Sequence, residues 1–415
     1  MKHIAVVGAG IAGLAAAYFL SRRHRVWLFE KDARLGGHTH THRVETPDGP
    51  LALDTGFLVH NDRTYPRLVR LFAELGVETR TSDMCFAVSC PRTGLEYSSR
   101  GARGFFAQRR NLLRPSHLRL LTEILRFNRT APGLLTAADA EALTLGDFLD
   151  RHGFGEAFTH RYLFPMASAV WSSSLDSIRR FPALTLIRFF DNHGMLGIHT
   201  HPTWKVVRGG SQTYVPLLTA PLGDRVRHGA PIRAIARGEH GVTMTFGDRE
   251  AMRFDEVVLA CHGDEVLPLL ADATDRERDV FARFTTTTNE TWLHTDGSVL
   301  PRRPDARASW NYRLGEGDAP PTVTYDLNRL QGLTTNDRFC VTLNPNGDVD
   351  ESRVLRKMVY RHPLYTREAI RAQAEWDTVS GVAHTHYCGA YWFYGFHEDG
   401  LRSALRVAHA LGVDW

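Results

Sequence analysis

The run His3–Val7 is mostly apolar and β-branched with no polar alternation, the pattern of a strand buried on both faces. Gly8, Gly10 and Gly13 follow at once, and the apolar residues 14–20 predict a helix packed against that strand. A second apolar run, Arg25–Phe29, predicts the next strand and ends at Glu30. Strand, glycine turn, helix, strand and acid thus stand in the order of a dinucleotide-binding βαβ unit.

Each position has a physical task in such a unit. Gly8 permits the tight turn, Gly10 lets backbone approach a pyrophosphate, and Gly13 lets the helix pack closely on the sheet. The helix N-terminus, with Ile11 and Ala12 in its first turn, then faces negative charge. Glu30 lies roughly 20 residues beyond the glycines, where a carboxylate accepts hydrogen bonds from a ribose diol. Lys31 opens a short extension to Gly36-Gly37, a second glycine turn suited to a second phosphate contact, and His38 and Thr39 follow it.

Farther along, residues 51–60 read as a strand interrupted by Asp54-Thr55-Gly56, and residues 65–75 as a helix stopped by Gly76. A short β-segment through Phe86 and Val88 leads into a helical stretch from Arg100 to about Leu196. There Leu118, Leu121 and Leu125 form one stripe, and Thr144 with Asp147 forms a capping box before Phe148. Tyr162, Phe164, Trp171, Phe181, Phe189 and Phe190 enrich its second half in aromatic surface. Gly209-Gly210 opens a helix, a hairpin follows, and residues 253–260 read as one strand. Strands at 322–327 and 339–343 and a helix near 366–376 complete the middle, and residues 351–360 look helical. Strand, turn and helix close the chain from His384 onward.

At 415 residues two intimately joined domains are expected. A net charge of +4, without a lysine-rich run or zinc-finger spacing, gives no sign of a nucleic-acid partner. Cys85, Cys90, Cys261, Cys340 and Cys388 are odd in number and scattered, which suits reduced thiols in a cytosol. The first strand begins almost at Met1, leaving no room for a signal peptide, and no apolar run reaches the roughly 18 to 20 residues of a spanning helix. The expectation is a cytoplasmic protein that is soluble or peripheral on the inner face of the membrane. His38, His40 and His42, like His384 and His386, alternate as metal ligands can, yet the first set directly follows Gly36-Gly37, where phosphate or flavin hydrogen bonding accounts for it more economically, and no metal is assigned.

The glycine turn, Glu30, Gly36-Gly37 and the closing Gly389, Gly395, Phe396 and Glu398 together resemble the amine oxidase and phytoene desaturase superfamily of flavoproteins. The resemblance implies FAD rather than free NAD. It implies a discontinuous, Rossmann-like FAD-binding domain of the glutathione-reductase type, at 1–85 with 205–265 and 381–415. An α+β substrate domain with a helical insertion would occupy 86–204 with 266–380. It places Thr55, Gly56 and Phe57 close to the isoalloxazine, Ile232 against the adenine, Ala260 near the same end, and His38 and Thr39 beside phosphate or flavin. His397 would stand at the mouth of the closing helix, which is expected to begin around 398–400, as a catalytic hydrogen-bond donor or proton relay. The chain departs from the superfamily at Ala390, where an acid usually follows the glycine.

The strings NHGML, PTWKVVRGGSQTYV and YCGAYWFYGFHEDGL resemble, more closely, a bacterial subgroup akin to the flavoprotein region fused to plant cyclopropane fatty acid synthases and to furan and methyl-branched fatty acid desaturases. That resemblance implies dehydrogenation of a lipid acyl chain and a lipid methyltransferase as a partner. Two rivals stay open: a flavin-dependent amine oxidase, for which neither Lys205 nor Lys357 matches the lysine often placed near flavin N5, and a non-catalytic flavoprotein partner of the methyltransferase. Arginines interleaved with Phe105, Phe106, Leu112 and Leu113 allow peripheral contact with anionic membrane or an ordinary solvated helix pair.

Overall fold

The computed structural model describes residues 1–171, 175–197, 202–247, 250–315 and 321–415. One half is organised by a parallel sheet of five strands in the order Val226–Arg227, Arg25–Phe29, His3–Val7, Glu256–Leu259 and Thr385–Tyr387. Its strands His3–Val7 and Glu256–Leu259 are buried along almost their whole length, as their largely apolar sequence requires. Helices Ile11–Leu20 and His397–Ala410 cross at close range, since a Cβ on Gly400 would fall 2.7 Å from Ile11 Cγ2.

The other half is built on a seven-stranded sheet in the order Val354–Leu364, Thr285–His294, Cys340–Leu343, Thr322–Asp326, Trp310–Arg313, Phe86–Cys90 and Leu95–Ser98. All its pairings are antiparallel except that of Trp310–Arg313 with Phe86–Cys90. A helical segment packs a separate aromatic cluster beside it, including Phe127, Phe148, Phe158, Phe181 and Phe189. The predicted helix after Tyr65 forms at Pro66–Leu75 and stops on the left-handed Gly76 (φ 69°), and Thr144 and Asp147 make the reciprocal capping box. Gly209-Gly210 leads into the short helical segments Ser211–Thr213 and Tyr214–Thr219.

Two expectations need correction, and a third gains its orientation. The strand expected at 253–260 is two strands, Ala251–Phe254 and Glu256–Leu259, in different sheets. The chain changes sheet at Asp255, whose N–H donates to the His3 carbonyl and whose carboxylate accepts from the His3 N–H. The helical-looking segment around Lys357 is the edge strand Val354–Leu364, because ten ladder partners from Thr285 to His294 outweigh the helix propensity of its Leu, Arg, Lys and Met. The stripe Leu118–Leu121–Leu125 lies on helix Pro115–Thr130, but Leu118 and Leu125 face solvent while His117, Leu120, Glu123 and Phe127 face the core. Residues 172–174, at the end of the aromatic-rich string, lie outside the described residues.

Candidate active site

The first glycine turn does two different things. A Cβ at Gly13 would fall 1.8 Å from the Gly8 carbonyl oxygen, and one at Gly8 (φ +99°) would meet the Ala260 carbonyl at 2.9 Å. Those two glycines, with Ala260 beneath the turn, let protein touch protein. At Gly10 a Cβ would meet no atom within 4 Å, although its backbone (φ −72°, ψ −179°) suits any residue. Helix Ile11–Leu20 starts there with no capping side chain and no acid in its first turn. Its free N–H groups and positive dipole end are left for an anion, and the open space at Gly10 is where that anion's carrier fits.

Buried Glu30 accepts from the Ala9 N–H at 2.7 Å and the Asp32 N–H at 3.0 Å. The Ala230 N–H donates to the Glu30 carbonyl at 2.9 Å, which brings the strand beginning at Ile232 alongside. The second glycine turn lies against the first: Gly36 N–H donates to the Ala9 carbonyl at 2.8 Å, and a Cβ on Gly37 (φ +57°) would fall 3.1 Å from Gly10 Cα. Arg34, which the motif spacing did not single out, fixes this turn by donating to the carbonyls of Leu35, Gly37 and Thr39 at 3.2, 2.6 and 2.8 Å.

From that turn the chain passes to the middle of the site. A Cβ on Gly56 would fall 2.2 Å from the His38 carbonyl oxygen, and the Phe57 N–H donates to the same oxygen at 2.7 Å. Thr55 Oγ1 lies 2.7 Å from the Tyr360 hydroxyl. Thr39 Oγ1 hydrogen-bonds the Tyr214 hydroxyl and lies 3.1 Å from His397 Nε2. The His397 imidazole stacks on Phe57 with ring centroids 3.7 Å apart. Asp54 accepts from the Ser211 N–H at 2.9 Å and the Thr41 hydroxyl at 2.5 Å, holding the Gly209-Gly210 turn in place. Burial lifts its pKa to about 6.

Three imidazoles gather here from distant segments. His38 lies 5.1 Å from His362 and 6.4 Å from His262, centroid to centroid, and is stacked on Tyr360 at 5.1 Å. Burial, reinforced by the neighbouring imidazoles, holds His38 neutral, and its Nε2 is buried without a hydrogen-bond partner. Burial also brings His397 down to about 3. An orphaned ring nitrogen beside two glycine turns is what a missing polar group would satisfy.

Some expected site residues sit elsewhere. Lys31 reaches away to Glu265 at 2.7 Å. Helix His397–Ala410 starts at His397, ahead of the expected 398–400, with Phe396 as its N-cap. The Glu398 carboxylate accepts from the N–H groups of Arg67 and Leu68 at 3.2 and 2.9 Å, so it joins two helices. Gly389 follows the last parallel strand, donates to Ser403 Oγ at 2.8 Å, and has no room for a Cβ, which would fall 2.3 Å from the Tyr391 ring. Only His42 of the first histidine alternation lies in a strand, Thr41–Val44. Glu256, a carboxylate that sequence spacing did not reveal, lies 3.8 Å from His384 and 3.5 Å from His386, but Lys2 Nζ takes it at 2.6 Å.

This arrangement fits FAD: open space at Gly10 before an uncapped helix, a buried acid at the end of the second strand, and an unsatisfied imidazole near His397. The family model for flavin containing amine oxidoreductases matches residues 11–328. The chain is 28% identical over 262 residues to the protein of Mycobacterium tuberculosis named as flavin-containing monoamine oxidase AofH, covering 60% of this chain and 54% of that protein. It is 31% identical over 299 residues to a carotenoid phi-ring synthase of Streptomyces griseus, covering 65% and 54%. The chain thus spans about half the length of the curated relatives it matches. A fatty acid isomerase from P. acnes shares the fold at a TM-score of 0.71 and 16% identity, over 99% of each chain. With three quarters of its length under one family model and a site shaped for the dinucleotide, the chain belongs to the flavin containing amine oxidoreductases, and FAD is its cofactor.

Proposed function

We propose that this chain dehydrogenates a fatty acyl chain, methyl-branched or otherwise modified and carried in phospholipid. The observation that carries this reading is the aromatic wall that leads from the helical segment to the closing helix. Phe181 packs on Trp171 at 4.7 Å, Trp171 on Phe189 at 4.8 Å, and Phe189 stacks on Phe396 at 5.0 Å. Trp171, Phe181 and Phe189 are themselves buried, so they would form the apolar backing of an acyl site. We assign the FAD-binding domain to 1–85, 205–265 and 381–415 and the substrate domain to 86–204 and 266–380. Every strand of the parallel sheet falls in the first set and every strand of the seven-stranded sheet in the second.

When bound, FAD supplies the hydride acceptor, N5. His397, neutral at working pH, donates a hydrogen bond toward developing negative charge; with a pKa near 3 it is too weak a base to keep the substrate proton, which leaves to solvent as the hydride leaves to the flavin. The positive end of helix His397–Ala410 acts in the same sense. Phe57 and Thr39 hold the imidazole in one orientation.

Amine oxidation is the second reading, favoured by the likeness to AofH. Against it, all four lysines are engaged in ion pairs, with Glu256, Glu265, Asp62 and Glu351. The two acids of the closing helix are engaged as well, Glu398 by Arg67 and Leu68 and Asp399 by the Phe396 N–H. A third reading, a flavin-binding partner of a lipid methyltransferase without turnover, shares the fold and differs in outcome. Incubation with a methyl-branched phospholipid under air, followed by mass spectrometry, tests the reading: loss of two hydrogens from one acyl chain is expected, and unchanged lipid alongside oxidised amines overturns it.

A further inference from the structure

Of the eight large apolar side chains exposed among the described residues, four lie in one short stretch: Leu112 at 52%, Leu113 at 87%, Leu118 at 41% and Leu125 at 40%. Leu112 and Leu113 end the turn Arg109–Leu113, and Leu118 and Leu125, two helical turns apart, share one face of the following helix Pro115–Thr130. Local stability does not require that exposure, because the opposite face already buries His117, Leu120 and Phe127 in the aromatic cluster that reaches Phe396. Contiguous exposed leucines mark an interaction surface.

The charge around them is one-sided. Residues 99–130 contain eight arginines and one acid, and that acid, Glu123, is buried and accepts from the Gly155 N–H at 3.0 Å. Arg109, Arg110 and Arg119 are exposed, and among the described residues no carboxylate lies within ion-pair distance of them. Beside the leucines opens a concavity of about 290 Å³, with Arg114, Arg161 and Ser116 in its lining.

We propose that this face docks on an anionic lipid bilayer, with Leu112 and Leu113 entering the acyl boundary and the arginines meeting lipid phosphates. Apolar insertion and arginine attraction reinforce each other at such an interface, and neither suffices alone. Among the described residues the other exposed large apolar side chains, Met1, Leu217, Val359 and Val382, stand singly along the chain, and four leucines are too few for a stable protein interface. The inference stands whether the substrate is an acyl chain or an amine.

The test is flotation of the flavin-loaded protein with vesicles of phosphatidylcholine, with and without phosphatidylglycerol, at low and raised salt. The protein is expected to float only with the anionic vesicles and to release as salt rises. Leu112→Ser/Leu113→Ser and Arg109→Glu/Arg110→Glu should each weaken binding about tenfold or more, with flavin content and unfolding temperature unchanged because all four side chains are exposed. Absence of flotation, or flotation of both variants undiminished from that of the wild type, overturns the proposal. So does light scattering that shows a dimer broken by Leu113→Asp without any vesicle binding, which would assign the face to a second copy of the chain.

Discussion

His397 lies flat on Phe57, the ring planes 15° apart and the centroids separated by 3.7 Å, with its Nε2 in reach of Thr39. Phe57 comes from the segment after Gly56 and His397 from the first turn of the last helix, so this contact ties both ends of the chain at one point. The imidazole there is preorganised and neutral. His397→Ala should slow anaerobic flavin reduction by a factor on the order of 10², the usual cost of losing one aimed donor, while His397→Gln should recover part of it. The pH profile of the wild-type rate should lack any inflection near 6.5 that belongs to His397; one that disappears in His397→Ala would contradict the neutral-donor role.

Gly10 and Gly13 separate cofactor binding from folding. Gly10→Val places a Cβ that meets no protein atom within 4 Å, so the fold should melt as the wild type does while flavin affinity falls at least about tenfold. Gly13→Ala drives a Cβ into the Gly8 carbonyl and should destabilise the apoprotein by about 1–3 kcal/mol or more. Flavin content and thermal melting of the two purified variants decide this, and full flavin retention in Gly10→Val would show that the pyrophosphate does not pass over Gly10.

Asp54 holds Ser211 and Thr41 together from a buried position. Asp54→Ala leaves the Ser211 N–H without its acceptor and should cost about 1–3 kcal/mol, with a matching loss of flavin because the Gly209-Gly210 turn is released. Asp54→Asn, which keeps an acceptor oxygen, should lose less. Equal effects of the two, measured by denaturant unfolding, would show that the carboxyl oxygen is not the link.

Stability should rise with pH between about 4 and 6.5. Burial lowers His40 and His397 to about 3 and His60, His193, His294 and His362 to about 4. In that window the unfolded chain binds protons that the folded chain refuses, so unfolding is favoured as pH falls below 6.5. Asp54, raised to about 6, and Asp399, raised to about 7, act in the opposite sense: each is protonated in the folded state where it is ionised in the unfolded one. The histidines outnumber them. Melting temperature measured across this range should climb toward pH 6.5, and a maximum near pH 4 would show that the acids dominate.

What the sequence disclosed was local. Gly8, Gly10, Gly13, Glu30 and Gly36-Gly37 stand within one βαβ unit and its extension, so their spacing carries their geometry. Tyr360, His362 and His262 join His38 from strands and loops more than two hundred residues away, and nothing in their neighbourhoods marks them as partners. Asp54 was visible as part of a strand break, but not as the cap of a turn at Ser211. Lys357 misled because edge strands tolerate helix-forming residues when a long partner strand lies beside them. The leucine stripe of Pro115–Thr130 was legible as a stripe but not as a solvent-facing one, since periodicity fixes a face and not the side that is buried.

The most direct measurement is the anaerobic absorbance spectrum of the purified flavoprotein, before and after a methyl-branched phospholipid is added, with simple amines in parallel. Bleaching of the oxidised flavin band, near about 450 nm, by the lipid alone is the predicted result. Bleaching by amines alone would contradict acyl dehydrogenation, and a bound flavin that neither reduces would contradict catalysis by this site.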